Sequence, residues 1–117
     1  MIDKKAYQKM DYALCLLSAR ADGKDSGCII NSFHQVTSSF PAKFTIAVNR
    51  ENVTAAAVEQ AGSFCVTLLA HDAPAALIND FGYRSGRVAD KFSPYEVRRD
   101  EAGNPYLTDS MVSRVSC

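Results

Sequence analysis

The stretch CIINSFHQVTSSFPAKFTIAVNRENVT, Cys28 to Thr54, decides how this sequence folds. It opens on an apolar run suited to a buried strand and then presents Asn31, Ser32, His34, Gln35, Thr37, Ser38 and Ser39 with hardly an interruption. It closes on a second, alternating apolar segment. A plain turn between two strands needs far fewer hydrogen-bonding groups. Small polar side chains at this density suit either a barrel rim, where Ser and Thr satisfy neighbouring backbone, or the polar edge of a flat ligand.

Working outward, DYALCLLSA reads as a strand buried on both faces, and Asp22-Gly23 is a turn signal that returns SGCIINSF antiparallel as a hairpin. Ahead of it, IDKKAYQKM predicts a short amphipathic helix, with Ile2, Ala6 and Met10 at fourfold spacing. On the other side, KFTIAVN alternates Phe44, Ile46 and Val48 against Thr45, Ala47 and Asn49, which predicts a strand over 43–49. TAAAVEQAG predicts a helix with Thr54 as N-cap and Gly62 as its stop. SFCVTLLA predicts a strand, and DAPAALINDFG a helix capped by Asp72, with Pro74 in its first turn and Gly82 at its end. YRSGRVADKFSPY reads as a polar loop, EVRRDEAGNPYLT as two short strands around a Gly-Asn-Pro turn, and MVSRVSC as a further strand. Short strands joined mostly by turns, with helices inserted, predict a mainly β fold with short helices, an antiparallel barrel or sandwich and not a parallel doubly wound sheet. At 117 residues, positions 1–117 are read as one domain.

Composition removes several classes of function. A hydrophobic share of 47% against 22% charged residues is that of an ordinary globular chain, which argues against disorder. No apolar run reaches the length of a membrane span. The start, MIDKKAYQKMDYA, is charged and lacks the apolar centre of a secretory signal, so a cytoplasmic location is expected. Thirteen basic residues balance thirteen acidic ones, leaving no whole-molecule attraction to nucleic acid or to an anionic membrane. Cys15, Cys28, Cys65 and Cys117 lie far apart and out of metal-ligand spacing, and are read as reduced thiols. His34 and His71 belong to no metal motif, and no cysteine has the context of a nucleophile, so neither a catalytic side chain nor a metal ligand is expected.

In VNRENVTAAA a strand ends at Asn49, a short loop carries Arg50 and Asn52, and a helix starts near Thr54. Helix starts leave backbone N–H groups aimed, with the helix dipole, at any anion placed there. Arg50, Asn52 and Thr54 would add a charge, an amide and a hydroxyl to such a phosphate site. On this stretch alone the plainer alternative stands: Thr54 caps its helix and Arg50 is solvated. No G-x-G-x-x-G or Walker loop is present, so a phosphate would be held in some other way than in dinucleotide or triphosphate folds.

Three segments in order resemble the flavin reductase-like family, whose fold is an FMN-binding split barrel. YALCLLSARADGKDSGCIINSFHQVTSSFP is similar to that family's opening hairpin and its N-S-F-x-x-V-[ST]-x-x-x-P stretch, AVNRENVT to its phosphate loop, and FGYRSGRVADKF to its F-G-x-x-S-G-R-x-x-D-K-F segment. The resemblance implies flavin contacts at Asn31, Ser32, Gln35, Val36 and Thr37 around the ring and ribityl chain, with Asn49, Arg50, Asn52 and Thr54 nearer the phosphate. It also implies a loop near the flavin and a dimer interface that carries Ser85, Gly86, Arg87, Asp90, Lys91 and Phe92. The cofactor implied is FMN ahead of FAD, with NAD(P)H as hydride source and free flavin, iron or a protein as electron acceptor. A homodimer is implied, and a rubredoxin-like or diiron protein as partner. The alternative is a non-catalytic flavin-binding or split-barrel interaction module. SSFPAKF has one proline where the family often has two, and the family's C-terminal strands, among them a G-D-H segment, are expected to be missing after Cys117.

Overall fold

A computed structural model describes residues 14–70, 73–82, 91–108 and 111–117. Its first elements are β1 (Cys15–Ala21), β2 (Lys24–Ile30), β3 (His34–Gln35), β4 (Phe44–Thr45) and α1 (Val53–Ala61). Then follow β5 (Cys65–Leu69), α2 (Ala75–Gly82), β6 (Val97–Arg99), β7 (Pro105–Leu107) and β8 (Met111–Ser116). The helix expected over 2–10 and the cap expected at Asp72 lie outside the described residues.

β1 and β2 pair in register from Cys15↔Ile30 to Ala21↔Lys24, leaving Asp22 and Gly23 as a two-residue loop. Both loop residues have positive φ, 52° and 73°. That conformation matches the twist of the flanking strands and is easiest for Asp-Gly and Asn-Gly pairs. β5 joins the other edge of β1 and β8 joins β5, all antiparallel, so the main sheet runs β2-β1-β5-β8. β3–β4 and β6–β7 form two small antiparallel ribbons.

β1 is the central apolar strand, and its alternation divides the interior in two. Cys15 and Leu17 join Cys28, Ile30 and Val66, with Phe33, Ile46, Val48 and Val58 packed around them. Leu16 faces the other way, to Leu77, Phe81, Phe92 and Leu107. A strand covered on both faces has no need of alternating polar positions, which is why CLLSA reads as continuous apolar sequence. The β6–β7 ribbon is attached to the sheet by polar contacts. Ser18 Oγ donates to Pro105 O. Asn104, 1% exposed, accepts from Arg20 N at 3.0 Å and donates to Ser63 Oγ at 2.9 Å. At the rim, Arg99 grips Asp25 with two bonds of 2.8 and 2.9 Å, and Arg20 adds a third at 2.8 Å.

Two expectations need correction. KFTIAVN forms a ladder only at Phe44–Thr45, and Ile46 to Asn49 run on without a paired strand. The alternation there reflects burial, because Ile46 and Val48 pack on the first core while Ala47 and Asn49 are exposed. The N-cap of α1 is Asn52 and not Thr54: Asn52 is extended, at φ −73° and ψ 134°, and its side chain accepts from Thr54 N. Gly62 ends α1 in the left-handed region, at φ 70°, as expected.

Candidate flavin site

The polar stretch leaves β2 at Ile30 and runs along the side of the sheet that α1 covers, with residues 44–52 beside it. Ser32 fastens the two together: its hydroxyl donates to Ala47 O at 2.7 Å and accepts from Ala47 N at 3.3 Å. Beyond it the chain makes a hairpin over 34–45. Val36 N donates to Lys43 O at 2.7 Å, Lys43 N to Thr37 Oγ1 at 3.1 Å, and Gln35 Nε2 to Thr37 O at 2.8 Å. Phe33 and Phe44 stack at its base, ring centroids 5.0 Å apart and nearly parallel at 9°. Part of the answer to the crowd of small polar groups is therefore structural, since Ser32 and Thr37 replace backbone partners where the ladder is short.

The residues from Asn49 to Ala55 are similarly ordered. Asn49 Oδ1 accepts from Glu51 N at 3.0 Å, and Asn49 O accepts from Asn52 N at 2.9 Å. Asn52 Oδ1 takes Thr54 N at 2.9 Å, and Ala55 N donates to Asn52 O at 3.1 Å. Thr54 is 1% exposed and its side chain meets the Cys28 thiol. Burial pushes that thiol up, and hydrogen bonds from Thr54 and Asn52 and the nearby Lys91 charge offset the rise only in part.

What faces solvent is a shorter set. Asn31, Gln35, Val36, Asn49 and Arg50 are exposed. No Asp or Glu occurs between Asp25 and Glu51, so Lys43 and Arg50 make this strip cationic in a chain whose charges balance as a whole. This strip offers an amide at Asn31, peptide groups along 31–37 and a guanidinium at Arg50 as hydrogen-bonding groups.

Lys91 and Phe92 lie elsewhere in the chain. Lys91 is buried, donating Nζ to Gly27 O at 3.0 Å and Phe81 O at 3.4 Å. Phe92 is 4% exposed and packs edge-on against Phe81 in the second core. Ser85, Gly86, Arg87 and Asp90 fall outside the described residues. Sequence reading missed the Phe33–Phe44 stack and the full exposure of Phe40. A pair of phenylalanines flanking the polar run is the one signal that would have pointed to a braced arm. Among the described residues no group of three His, Cys, Asp or Glu side chains stands close enough to hold a metal, and no helix is long and apolar enough to cross a membrane.

Antiparallel strands form one main sheet and two ribbons, and a polar strip carrying Lys43 and Arg50 runs beside the capped start of α1. Residues 7–117 match the family described as flavin reductase like domain, and the chain belongs to it. It is 32% identical over 108 residues to a high molecular weight rubredoxin of Moorella thermoacetica, which covers 92% of this chain and 47% of that protein. It is 31% identical over 112 residues to a ferric-chelate reductase (NAD(P)H) of Archaeoglobus fulgidus, covering 96% of this chain and 66% of the relative. The chain thus spans between about half and two thirds of the length of these relatives. Among solved structures, an FMN-binding domain of a flavin reductase-like enzyme from Shewanella baltica superposes with a TM-score of 0.79 at 21% identity, over 100% of this chain and 62% of the other. The fold is that of the flavin reductase split barrels.

Proposed function

We propose that this chain holds FMN and takes part in electron transfer from NAD(P)H to an acceptor. The observation that carries the reading is the polar strip from Asn31 to Arg50, partly exposed, free of acidic residues and lying beside a helix start, in a member of the flavin reductase like family. Asn31, Gln35 and the peptide groups around Val36 and Thr37 would meet the ring and its chain, and Arg50 would meet the phosphate. Ser32, Asn49, Asn52 and Thr54 would act by holding that surface in shape, because their polar atoms already serve neighbouring backbone or Cys28. Ser85, Arg87, Lys91 and Phe92 would contribute together with a second copy of the chain that completes the site in a homodimer.

The bound flavin would supply the redox chemistry, so no protein acid, base or nucleophile is needed. The chain's part is to orient one face of the ring and to fix the phosphate. The ferric-chelate reductase relative supports NAD(P)H as donor, and the rubredoxin relative supports an iron-containing protein as acceptor. The test is an absorption spectrum of the purified protein titrated with FMN, followed by anaerobic addition of NADH or NADPH. Bound flavin that bleaches supports the reading. Flavin that binds but does not bleach assigns the chain to the non-catalytic module, and no binding overturns the proposal.

A further inference from the structure

We propose that Asn31 is a site of spontaneous covalent modification: the peptide nitrogen of Ser32 displaces the Asn31 side-chain amide and leaves a carboxylate in the acid-free strip. The chain has five asparagines, and the other four are shielded from this reaction. Asn104 is 1% exposed and precedes Pro105, which has no N–H to attack with. Asn79 lies inside α2, where the helical ladder engages the following peptide. Asn52 uses its side chain to cap α1 and precedes Val53, whose branched side chain crowds its own nitrogen. Asn49 is exposed, but its Oδ1 accepts from Glu51 N at 3.0 Å.

Asn31 differs on each count. It is exposed, it stands one residue past the last β1–β2 rung at Cys15↔Ile30, and its side chain makes no hydrogen bond among the described residues. Its successor is small, and Ser32 holds Ala47 through its hydroxyl and not through its peptide nitrogen. The nucleophile is therefore anchored yet unengaged, beside an amide that can turn toward it. Charge favours the same step. The attacking nitrogen must give up its proton, and a strip that carries Lys43 and Arg50, with no carboxylate between Asp25 and Glu51, stabilises the anion. The Ser32 N–Cγ bond forms, the Cγ–Nδ2 bond breaks and ammonia leaves with the proton. Water then opens the cyclic imide to an aspartyl or isoaspartyl residue, and nothing is oxidised or reduced. The reaction stands apart from the flavin, whereas its consequence rests on the reading above: an amide that both donates and accepts at the ring becomes a carboxylate that only accepts.

The experiment incubates the purified chain without ligand in neutral buffer and follows all five asparagines by peptide mapping and mass spectrometry. Asn31 is expected to convert first, with the other four still intact, and Asn31→Gln, whose longer side chain closes a ring far more slowly, is expected to keep its amide. An Asn31 amide that persists in the folded chain overturns the proposal, and so does conversion of another asparagine ahead of it. Two further arms address the consequence. FMN at about ten times its Kd should slow conversion of Asn31 about tenfold, by mass action. The variant Asn31→Asp should melt like the wild type and bind FMN about tenfold more weakly. Conversion that FMN slows supports both the modification and the flavin reading. Conversion at an unchanged rate in a chain with FMN bound supports the modification and removes Asn31 from the flavin reading. Equal FMN affinity in Asn31→Asp overturns the consequence assigned to the modification.

Discussion

Gly27 lies directly against the Phe92 ring: a methyl carbon in place of its hydrogen would stand 2.8 Å from Phe92 Cζ and 3.2 Å from Cε2. Phe92 cannot swing away freely, because Phe81 packs edge-on against it at 4.9 Å between centroids. Gly27 O also receives the buried Lys91 ammonium. Gly27→Ala is therefore expected to destabilise the fold by about 1–3 kcal/mol, the range for overpacking a filled core. Chemical denaturation of the two proteins side by side checks it, and an unchanged midpoint would show that Phe92 yields.

Asp25 supplies a pH-dependent contribution. Burial alone would raise its carboxyl, but hydrogen bonds and charge from Arg99 and Arg20 outweigh that and hold it below the ordinary carboxylate value. A carboxyl lowered on folding contributes stability that is fully present above its unfolded pKa of about 3.9 and is lost as pH falls through the lower folded value. Asp25→Asn should then be less stable than wild type near neutrality, by on the order of 1 kcal/mol, since Arg20 and Arg99 are 38% and 43% exposed and water screens them. The difference should shrink below about pH 4. Thermal midpoints at a series of pH values test this, and a gap that persists in acid would contradict it.

Arg50 and Thr54 separate two roles that the sequence leaves merged. If Arg50 meets the phosphate, Arg50→Gln should weaken FMN by about 1.5–3 kcal/mol, roughly 10- to 150-fold, and leave riboflavin almost unaffected. Thr54→Val should weaken both ligands alike, because its hydroxyl faces Cys28 in the interior. Titration of both flavins with both variants gives the answer. Equal losses of FMN and riboflavin in Arg50→Gln would remove the phosphate from that residue.

Asn52 is the one side chain that closes the start of α1. Asn52→Ala removes the acceptor for Thr54 N and should cost about 1 kcal/mol, whereas Asn52→Asp or Asn52→Ser should keep most of the stability. Because Asn52 N also fastens onto Asn49 O at 2.9 Å, loosening the cap should be felt at the Arg50 loop. Circular dichroism melts of the three variants, with FMN affinity measured in parallel, would detect both effects.

The parts of this molecule written in adjacent residues were legible. Asp22-Gly23 declared its hairpin, Gly62 its helix end, and the apolar run through Leu16 and Leu17 a strand buried on both faces. What depended on distant partners was not. Thr54 and Asn52 are both good caps, and only the register of the helix decides which one serves. Ile46 and Val48 alternate as a strand would, yet the segment is buried on one side without a paired neighbour, a distinction that periodicity cannot make. Lys91 carries a charge that suggests a surface or a phosphate, but carbonyls of Gly27 and Phe81, far away in sequence, receive it inside. Of the candidate strip, the run of polar side chains is plain in the sequence, whereas the hydrogen bonds by which Ser32, Thr37, Asn49 and Asn52 hold neighbouring backbone depend on the folded chain.

β1 has a strand on each edge and an apolar layer on each face, with Leu16 in one core and Leu17 in the other. An amide proton in that strand can reach solvent only if both layers and at least one edge open together. The middle of β1 should thus be the last part of the chain to take up deuterium, and its exchange should report global unfolding rather than local opening. The same arrangement makes β1 the seam through which damage spreads: a cavity cut on the α2 side loosens the strand that carries Cys15 and Leu17 in the other core.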